Sequence, residues 1–241
     1  MDKNAFLETI RGESEALAAA ASTVEPGTPV PSCPDWTMAR LVTHIAQVQH
    51  WAAKTVETRA TERAPFGDVP PPPEHTQLVP WFREATQRLL ATLTSTDPAT
   101  PVWSWTSDRT AAFWVRRQAQ EVAVHRWDAQ NTAGVPQPLE TALAVDGIDE
   151  LLGMHRARGG ERFVGQGERI RLSCTDHDVE WMARLGPQGL EVSHEPAKGD
   201  AAARGTASDL DLFLWGRIPL ATLAVSGDAA LLTRFQLLTA L

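Results

Sequence analysis

Glu121 and His125 lie four residues apart in the segment QEVAVHRWD, residues 120–128. Side chains at positions i and i+4 of an α-helix lie on the same face, so both groups can reach one point. A second segment, LVTHIA at residues 41–46, supplies His44. Two imidazoles and one carboxylate suit a zinc-like divalent cation and leave one coordination position open, as is typical of a catalytic metal site. The three residues therefore predict a metal centre that can bind a substrate group.

Each of these residues also has a purely structural interpretation. Glu121 and His125 could form an exposed polar i,i+4 pair, and His44 could be a core residue with a single hydrogen bond. Both segments are amphipathic, however, and they place these groups on the apolar side. A carboxylate buried there is costly unless a cation compensates its charge, which favours the metal site. Asp128, one turn beyond His125, could accept a hydrogen bond from that ligand or pair with a neighbouring arginine.

The elements that must position these residues read as helices in the first part of the chain. Apolar residues recur at helical spacing over residues 3–21, about 37–60, about 77–95 and about 109–132. Asp35 or Thr37 can cap the second helix, and His50 and His75 fall near helix ends, where solvated imidazoles are expected. Four such helices with one long connection are typical of a four-helix bundle.

The second part of the chain changes its period. One more helix is predicted over residues 139–157, after which residues 169–174, 179–185 and 190–194 alternate between apolar and polar side chains, as strands do. Two short helices follow, at about 206–216 and 228–239. The fold class is therefore predicted as α+β, with a metal-binding bundle at residues 1–160 and a small α+β domain at residues 161–241.

Charge and composition exclude several classes of partner. The 241 residues carry a formal net charge of −8, which argues against nucleic acid as a partner, and they contain no apolar run long enough for a membrane span. The N-terminus lacks the basic-then-apolar order of a secretory signal. Two cysteines make no disulfide framework, so a cytoplasmic location is expected. Cys33 has no base beside it in the sequence, which favours a buried structural thiol over a nucleophile.

The candidate ligands also lie in segments that resemble a known family, the mycothiol-dependent maleylpyruvate isomerases of actinobacteria, which are DinB-like metal-binding four-helix bundles. The resemblance extends to the C-terminal part, so it covers nearly the whole chain. The segments that carry it are CPDWT (33–37), LVTH (41–44), EVAVHRWD (121–128), GTASDL (205–210), LWGRIP (214–219) and VSGD (225–228).

The resemblance implies a ligand set, a metal and a co-substrate. The family's histidine on the second helix and its Glu/His pair on the fourth correspond to His44, Glu121 and His125. Zinc is the usual metal, and the open position accepts the thiol of mycothiol. Arg217 is the position that matches the family's assisting arginine in the C-terminal domain; otherwise it is a charge at the end of a helix. The expected partners are mycothiol and a small-molecule substrate, with the protein a monomer or a small homo-oligomer.

The chemistry of such a site follows from the pKa of a thiol. A free thiol with a pKa near 8.5 is mostly protonated at neutral pH, and coordination to a metal ionises it. The thiolate could add to a conjugated double bond; rotation and elimination would then give the trans isomer of a maleylpyruvate-like substrate. Without elimination the product is a thioether, and the enzyme is a mycothiol S-transferase acting on a toxin or secondary metabolite. A non-catalytic metal- or ligand-binding protein is the remaining alternative.

Overall fold

The computed structural model describes residues 1–66, 69–159 and 161–240, which fall into two compact units. Among the described residues, the elements of the first, Met1–Gln137, are helices, with two isolated β-bridges between loops, and it is called the helical unit; the second, Pro138–Leu241, holds the strands of the sheet and is called the sheet unit. Helices in one unit and a sheet with helices in the other confirm the predicted α+β fold class. Among the described residues, no helix is long and apolar enough to cross a membrane.

The helical unit is built from four long helices that pack on one another. α1 contacts α3 and α4, and α2 likewise contacts α3 and α4. The observed ends lie within three residues of the predicted ones. The Thr37 hydroxyl accepts a hydrogen bond from the Arg40 amide at 3.3 Å, so Thr37, not Asp35, caps α2. The four helices are α1 (Lys3–Ala21), α2 (Met38–Glu57), α3 (Leu78–Ser95) and α4 (Ala111–Thr132).

The sheet unit places three helices around a five-stranded sheet of order β3-β2-β1-β4-β5. β1 and β4 pair in parallel, and the other neighbours are antiparallel. The predicted strands correspond to β1, β2 and β3, whereas β4 and β5 were not predicted from the sequence. The elements are α5 (Thr141–Arg158), β1 (Glu168–Cys174), β2 (Glu180–Gly186), β3 (Gly189–Ser193), β4 (Ala201–Gly205), α6 (Ala207–Leu214), β5 (Ala224–Gly227) and α7 (Ala229–Thr239).

The division between the units differs from the predicted boundary near residue 160. It falls at Gln137, and α5 packs against α6, α7 and β3. The Trp181 indole donates a hydrogen bond to Asp149 of α5 at 2.7 Å, which ties this helix to the sheet. Helical periodicity shows which face of α5 is apolar but not which unit covers it, so the sequence placed α5 with the bundle. Gly160, at the predicted boundary, lies outside the described residues.

His50 on α2 is buried in the helical unit, which corrects the expectation of a solvated imidazole; His75 is exposed as expected. The His50 ring packs against Trp81 with centroids 5.5 Å apart. Neither ring nitrogen has a hydrogen-bond partner among the described residues. Burial, and secondarily the charge of Arg88, lowers the pKa of His50, while Glu84 and Glu57 oppose the shift. The imidazole is therefore held neutral in the folded protein.

We expect His50→Leu to reduce the loss of stability in mild acid. Because the folded-state pKa of His50 is lowered, the unfolded chain binds the proton first as pH falls below about 6.5, and the free energy of unfolding decreases. A leucine side chain does not titrate, so the variant should lose less stability than the parent between pH 7.5 and pH 5.5. Urea unfolding at both pH values measures this difference. A matched His75→Leu variant should behave as the parent does, and an equal pH response in the His50 variant would contradict the assignment.

Candidate functional site

The structure brings His44 of α2 together with Glu121 and His125 of α4. The distance from His44 Nε2 to Glu121 Oε1 is 3.1 Å, and the distance from His125 Nε2 to the same oxygen is 3.7 Å. One nitrogen or oxygen atom from each of the three side chains lies within 4.8 Å of the others. The helical spacing of the pair on α4 and the packing of α2 against α4 thus place three potential ligands around one point.

A carboxylate behind His125 sets the orientation of its ring. His125 Nδ1 lies 2.8 Å from Asp128 Oδ2, and Asp128 is fully buried. Because an ionised carboxylate can only accept, Nδ1 carries a proton, and Nε2 is the ring nitrogen that faces Glu121 Oε1. The other Asp128 oxygen accepts a hydrogen bond from the Ser32 hydroxyl at 2.5 Å. Asp128 therefore has the geometry of the outer acceptor that the sequence suggested.

Glu121 is shared between the two histidines and a buried arginine. Arg117 Nη2 lies 3.1 Å from Glu121 Oε2, so one oxygen faces the arginine and the other faces the imidazoles. Burial by itself raises the pKa of Glu121, but the hydrogen bond with His44 and the charges of Arg117 and His125 outweigh it and hold the pKa far below its usual range. The carboxylate is thus ionised and fixed in orientation. Arg117 was missed in the sequence, although its i−4 spacing from Glu121 is a signal for such a pair.

The loop that leads into α2 forms one wall of the cluster. The Trp36 ring lies 4.7 Å from the His44 ring and is stacked on the His125 ring, with centroids 5.7 Å apart and an interplanar angle of 15°. The Cys33 thiol, in the same loop, donates to Asp128 Oδ2 at 3.7 Å. A neighbouring carboxylate disfavours a thiolate, so this contact supports the structural interpretation of Cys33. Trp36 belongs to the segment CPDWT that carries the family resemblance, but its contact with both imidazoles was not predicted from the sequence.

The donor set fits a divalent cation. Two neutral imidazole nitrogens and one carboxylate oxygen are common zinc ligands, and a three-residue set leaves one position for an exogenous group. His44 retains 29% exposure of its side chain and Glu121 retains 19%, so a small molecule can reach the cluster. In the described parts of the chain, a search for three or more His, Cys, Asp or Glu side chains that could share a metal ion finds His44, Glu121 and His125. A structural zinc ion would require a fourth protein ligand.

Arg217 lies in the sheet unit, immediately after Gly216, whose φ of +73° is favourable for glycine. Its Nη1 donates to the Trp215 carbonyl at 2.8 Å, and its guanidinium carbon lies 5.9 Å from the centroid of the Trp215 ring. The hydrogen bond resembles the cap of a helix end that was the structural alternative for this residue. Within the helical unit, by contrast, His44, Glu121, His125 and Asp128 form one connected group.

Comparison with known proteins finds matches over both units. Residues 7–130 match the model of the mycothiol maleylpyruvate isomerase N-terminal domain, and residues 142–234 match the MDMPI C-terminal domain. No curated protein matches the chain. Two crystal structures of a mycothiol-dependent maleylpyruvate isomerase, one of them a histidine-to-alanine mutant, are similar to it with a TM-score of 0.64 at 14% identity over 95% of either chain. At this identity the likeness concerns the fold alone. On the two domain matches, the chain belongs to the mycothiol maleylpyruvate isomerase family.

Proposed function

We propose that the protein is a metal- and thiol-dependent enzyme that uses mycothiol to attack an electrophilic small molecule. The observation that carries the proposal is the convergence of His44, Glu121 and His125, whose ligand atoms lie within 4.8 Å of one another. The reaction we assign is the cis–trans isomerisation of a maleylpyruvate-like substrate. We propose zinc as the metal and a reducing compartment, the cytoplasm, as the location; both cysteines are free thiols.

The residues around the cluster have separable tasks in this proposal. A divalent cation held by the three side chains would lower the pKa of a coordinating thiol, so that the thiolate is available at neutral pH. Asp128 keeps His125 in the tautomer whose Nε2 can bind, and Arg117 keeps one oxygen of Glu121 turned away from the histidines. Trp36 packs against both imidazoles and would hold their rings in place.

The isomerisation requires one bond to form and then to break. The thiol sulfur forms a bond to one alkene carbon, and the electron pair of the double bond moves to the carbon next to the carbonyl group. Rotation about the resulting single bond and expulsion of the thiolate restore the alkene as the trans isomer. Arg217 is our candidate for binding a substrate carboxylate, because a guanidinium can form a bidentate pair with it. Protonation of the carbon instead of elimination would leave a thioether, the product of a transferase.

The proposal is tested by metal analysis of the purified protein together with product analysis in the presence of mycothiol. We expect about one equivalent of a divalent cation per chain, catalytic use of the thiol, and conversion of maleylpyruvate to its trans isomer. Arg217→Lys should raise the Michaelis constant or lower turnover about 10-fold or more, because the bidentate pair is lost. Stoichiometric thiol consumption with a stable thioether would identify a transferase. No bound metal and no thiol-dependent reaction would overturn the proposal in favour of a binding protein.

A further inference from the structure

A cluster of aromatic rings lies on the same pair of helices as the His44–Glu121 contact. Trp51 follows His44 by seven residues on α2, and Trp114 precedes Glu121 by seven residues on α4. The Trp51 and Trp114 rings are in contact, with centroids 5.1 Å apart. The His44–Glu121 contact and the Trp51–Trp114 contact therefore belong to one antiparallel register of α2 against α4. Seven residues of α-helix span about 10.5 Å and nearly complete two turns, so the rings lie along the same seam as the ligands.

The rings of this aromatic cluster are held in fixed positions. The Trp51 indole donates to the Ala64 carbonyl at 3.0 Å, and the Trp114 indole donates to the Trp103 carbonyl at 2.7 Å. The Trp105 ring is stacked on Trp51 with an interplanar angle of 8°. Trp103 and Trp105 are only half-buried, so the cluster presents apolar surface to solvent. The aromatic cluster consists of Trp51, Trp103, Trp105, Phe113 and Trp114.

Gln118 lies between the aromatic cluster and the candidate ligands. It follows Trp114 by four residues and precedes Glu121 by three, so it shares their face of α4. The residue is 2% exposed, and its carbonyl oxygen Oε1 has no hydrogen-bond partner among the described residues. A buried acceptor without a partner costs free energy that a hydrogen-bond donor on a bound molecule would recover.

Partly exposed residues of α2 lie between the two ends of the seam. On α2, Val48 lies one turn after His44 and three residues before Trp51, and it is half-buried, as is the preceding Gln47. His44 is itself partly exposed, whereas its α2 neighbours Leu41 and Ile45 are fully buried. The partly exposed residues therefore run from the candidate metal ligands toward the half-buried indoles, along one side of α2.

We propose that this seam binds the body of the electrophile. The reacting carbon would lie at His44, Glu121 and His125, a hydrogen-bond donor of the substrate would meet Gln118 about one turn away, and an apolar ring would rest on Trp105 about two turns away. The substrate class is thus an unsaturated carboxylic acid that also carries an amide N–H and an apolar tail, a larger relative of the maleylpyruvate-like substrate assigned above. This inference rests on the proposed function for the position of the reacting carbon.

Binding of unreactive amides tests the seam without requiring turnover. We would measure by calorimetry the affinity of the protein for succinamic acid, N-(2-phenylethyl)succinamic acid and the N-methyl derivative of the latter, which lacks the N–H donor. The phenylethyl compound should bind about 10-fold or more tightly than succinamic acid, since a phenyl ring is removed from water. The N-methyl derivative should bind about 5-fold more weakly than its N–H parent, because Gln118 loses its donor.

Two variants and one control assign these preferences to the seam. Trp105→Leu should reduce the preference for the phenylethyl group at least about 3-fold, because the ring loses an aromatic contact. Gln118→Leu should abolish the distinction between the N–H and N-methyl compounds. Trp81→Leu replaces a half-buried indole of α3 outside the aromatic cluster and should retain both preferences. Circular dichroism checks that each variant is folded, and the two seam variants provide independent readouts.

The unsaturated analogues of these succinamic acids distinguish failure of this inference from failure of the proposed function. Maleamic acid and N-(2-phenylethyl)maleamic acid contain the cis double bond, and their mycothiol-dependent isomerisation can be followed directly. Selective binding of the phenylethyl succinamide without any thiol-dependent turnover would support the seam and overturn the proposed function. Turnover of both maleamic acids with equal efficiency, together with equal binding of the short and long succinamides, would overturn the seam and leave the proposed function intact.

Discussion

His44→Ala is expected to remove the divalent cation from the purified protein and to abolish thiol-dependent turnover. The substitution leaves Glu121 and His125, two ligands on one helix, where three residues from two helices converged. Metal affinity should fall more than about 100-fold, because loss of an outer hydrogen-bond partner alone costs about 10–100-fold. Metal analysis after gel filtration and a thiol-dependent isomerisation assay measure the two effects.

A matched control separates the loss of a ligand from the loss of an imidazole. His75 is exposed, and His75→Ala should retain both metal and activity. The His44 side chain is 29% exposed, so its removal should leave a folded protein whose thermal unfolding without metal resembles that of the parent. A His44→Ala protein that kept one equivalent of zinc and full activity would contradict the assignment of this residue as a ligand.

Asp128→Asn is expected to weaken metal binding about 10–100-fold although Asp128 is not itself a candidate ligand. The amide has one acceptor where the carboxylate had two, so it cannot serve both His125 Nδ1 and the Ser32 hydroxyl. The His125 ring would lose its fixed tautomer. Since Asp128 is fully buried, the variant should also lose about 1.5–3 kcal/mol of stability, the value of a hydrogen bond to a charged group.

Competition with a chelator measures the metal affinity of the Asp128→Asn protein, and urea unfolding of the metal-free protein measures its stability. Asp35 is exposed and lies in the same loop as Ser32, so Asp35→Asn serves as the control and should change neither quantity. A purely structural role for Asp128 would lower stability while leaving the metal affinity of the folded fraction unchanged, and that result would contradict a positioning role.

The helices could be predicted from sequence because each has a long apolar stripe and clear end signals. The predicted spans of α1 and α4 differ from the observed ones by no more than two residues. β4 and β5 escaped prediction for a physical reason. β4 has the sequence AAARG and β5 the sequence AVSG, in which small residues replace the large alternating side chains that identify a strand. Their place in the sheet is set by pairing with β1 and with each other.

The candidate site was predicted in part because its strongest signal is local. Glu121, His125 and Asp128 lie on one face of one helix, and helical spacing alone relates them. To predict that His44 joins them, it was enough to assume that the apolar face of α2 packs against the apolar face of α4. The contacts of Trp36 with His125 and of Ser32 with Asp128 could not be predicted from the sequence, because they depend on how the loop before α2 folds against α4. The binding of a metal by these residues, and the role of Arg217, remain predictions.

The contact of Arg117 with Glu121 determines the electrostatic balance of the candidate centre. Two carboxylates, Glu121 and Asp128, and one guanidinium carry a formal charge of −1 between them, and a histidine that binds a metal does so as the neutral imidazole. With a divalent cation the assembly would carry +1, and a singly charged anion in the open position would make it neutral. In a partly buried site an uncompensated charge is costly, so a neutral assembly is favoured. The arginine would thus make the centre select a thiolate over an uncharged thiol or water molecule.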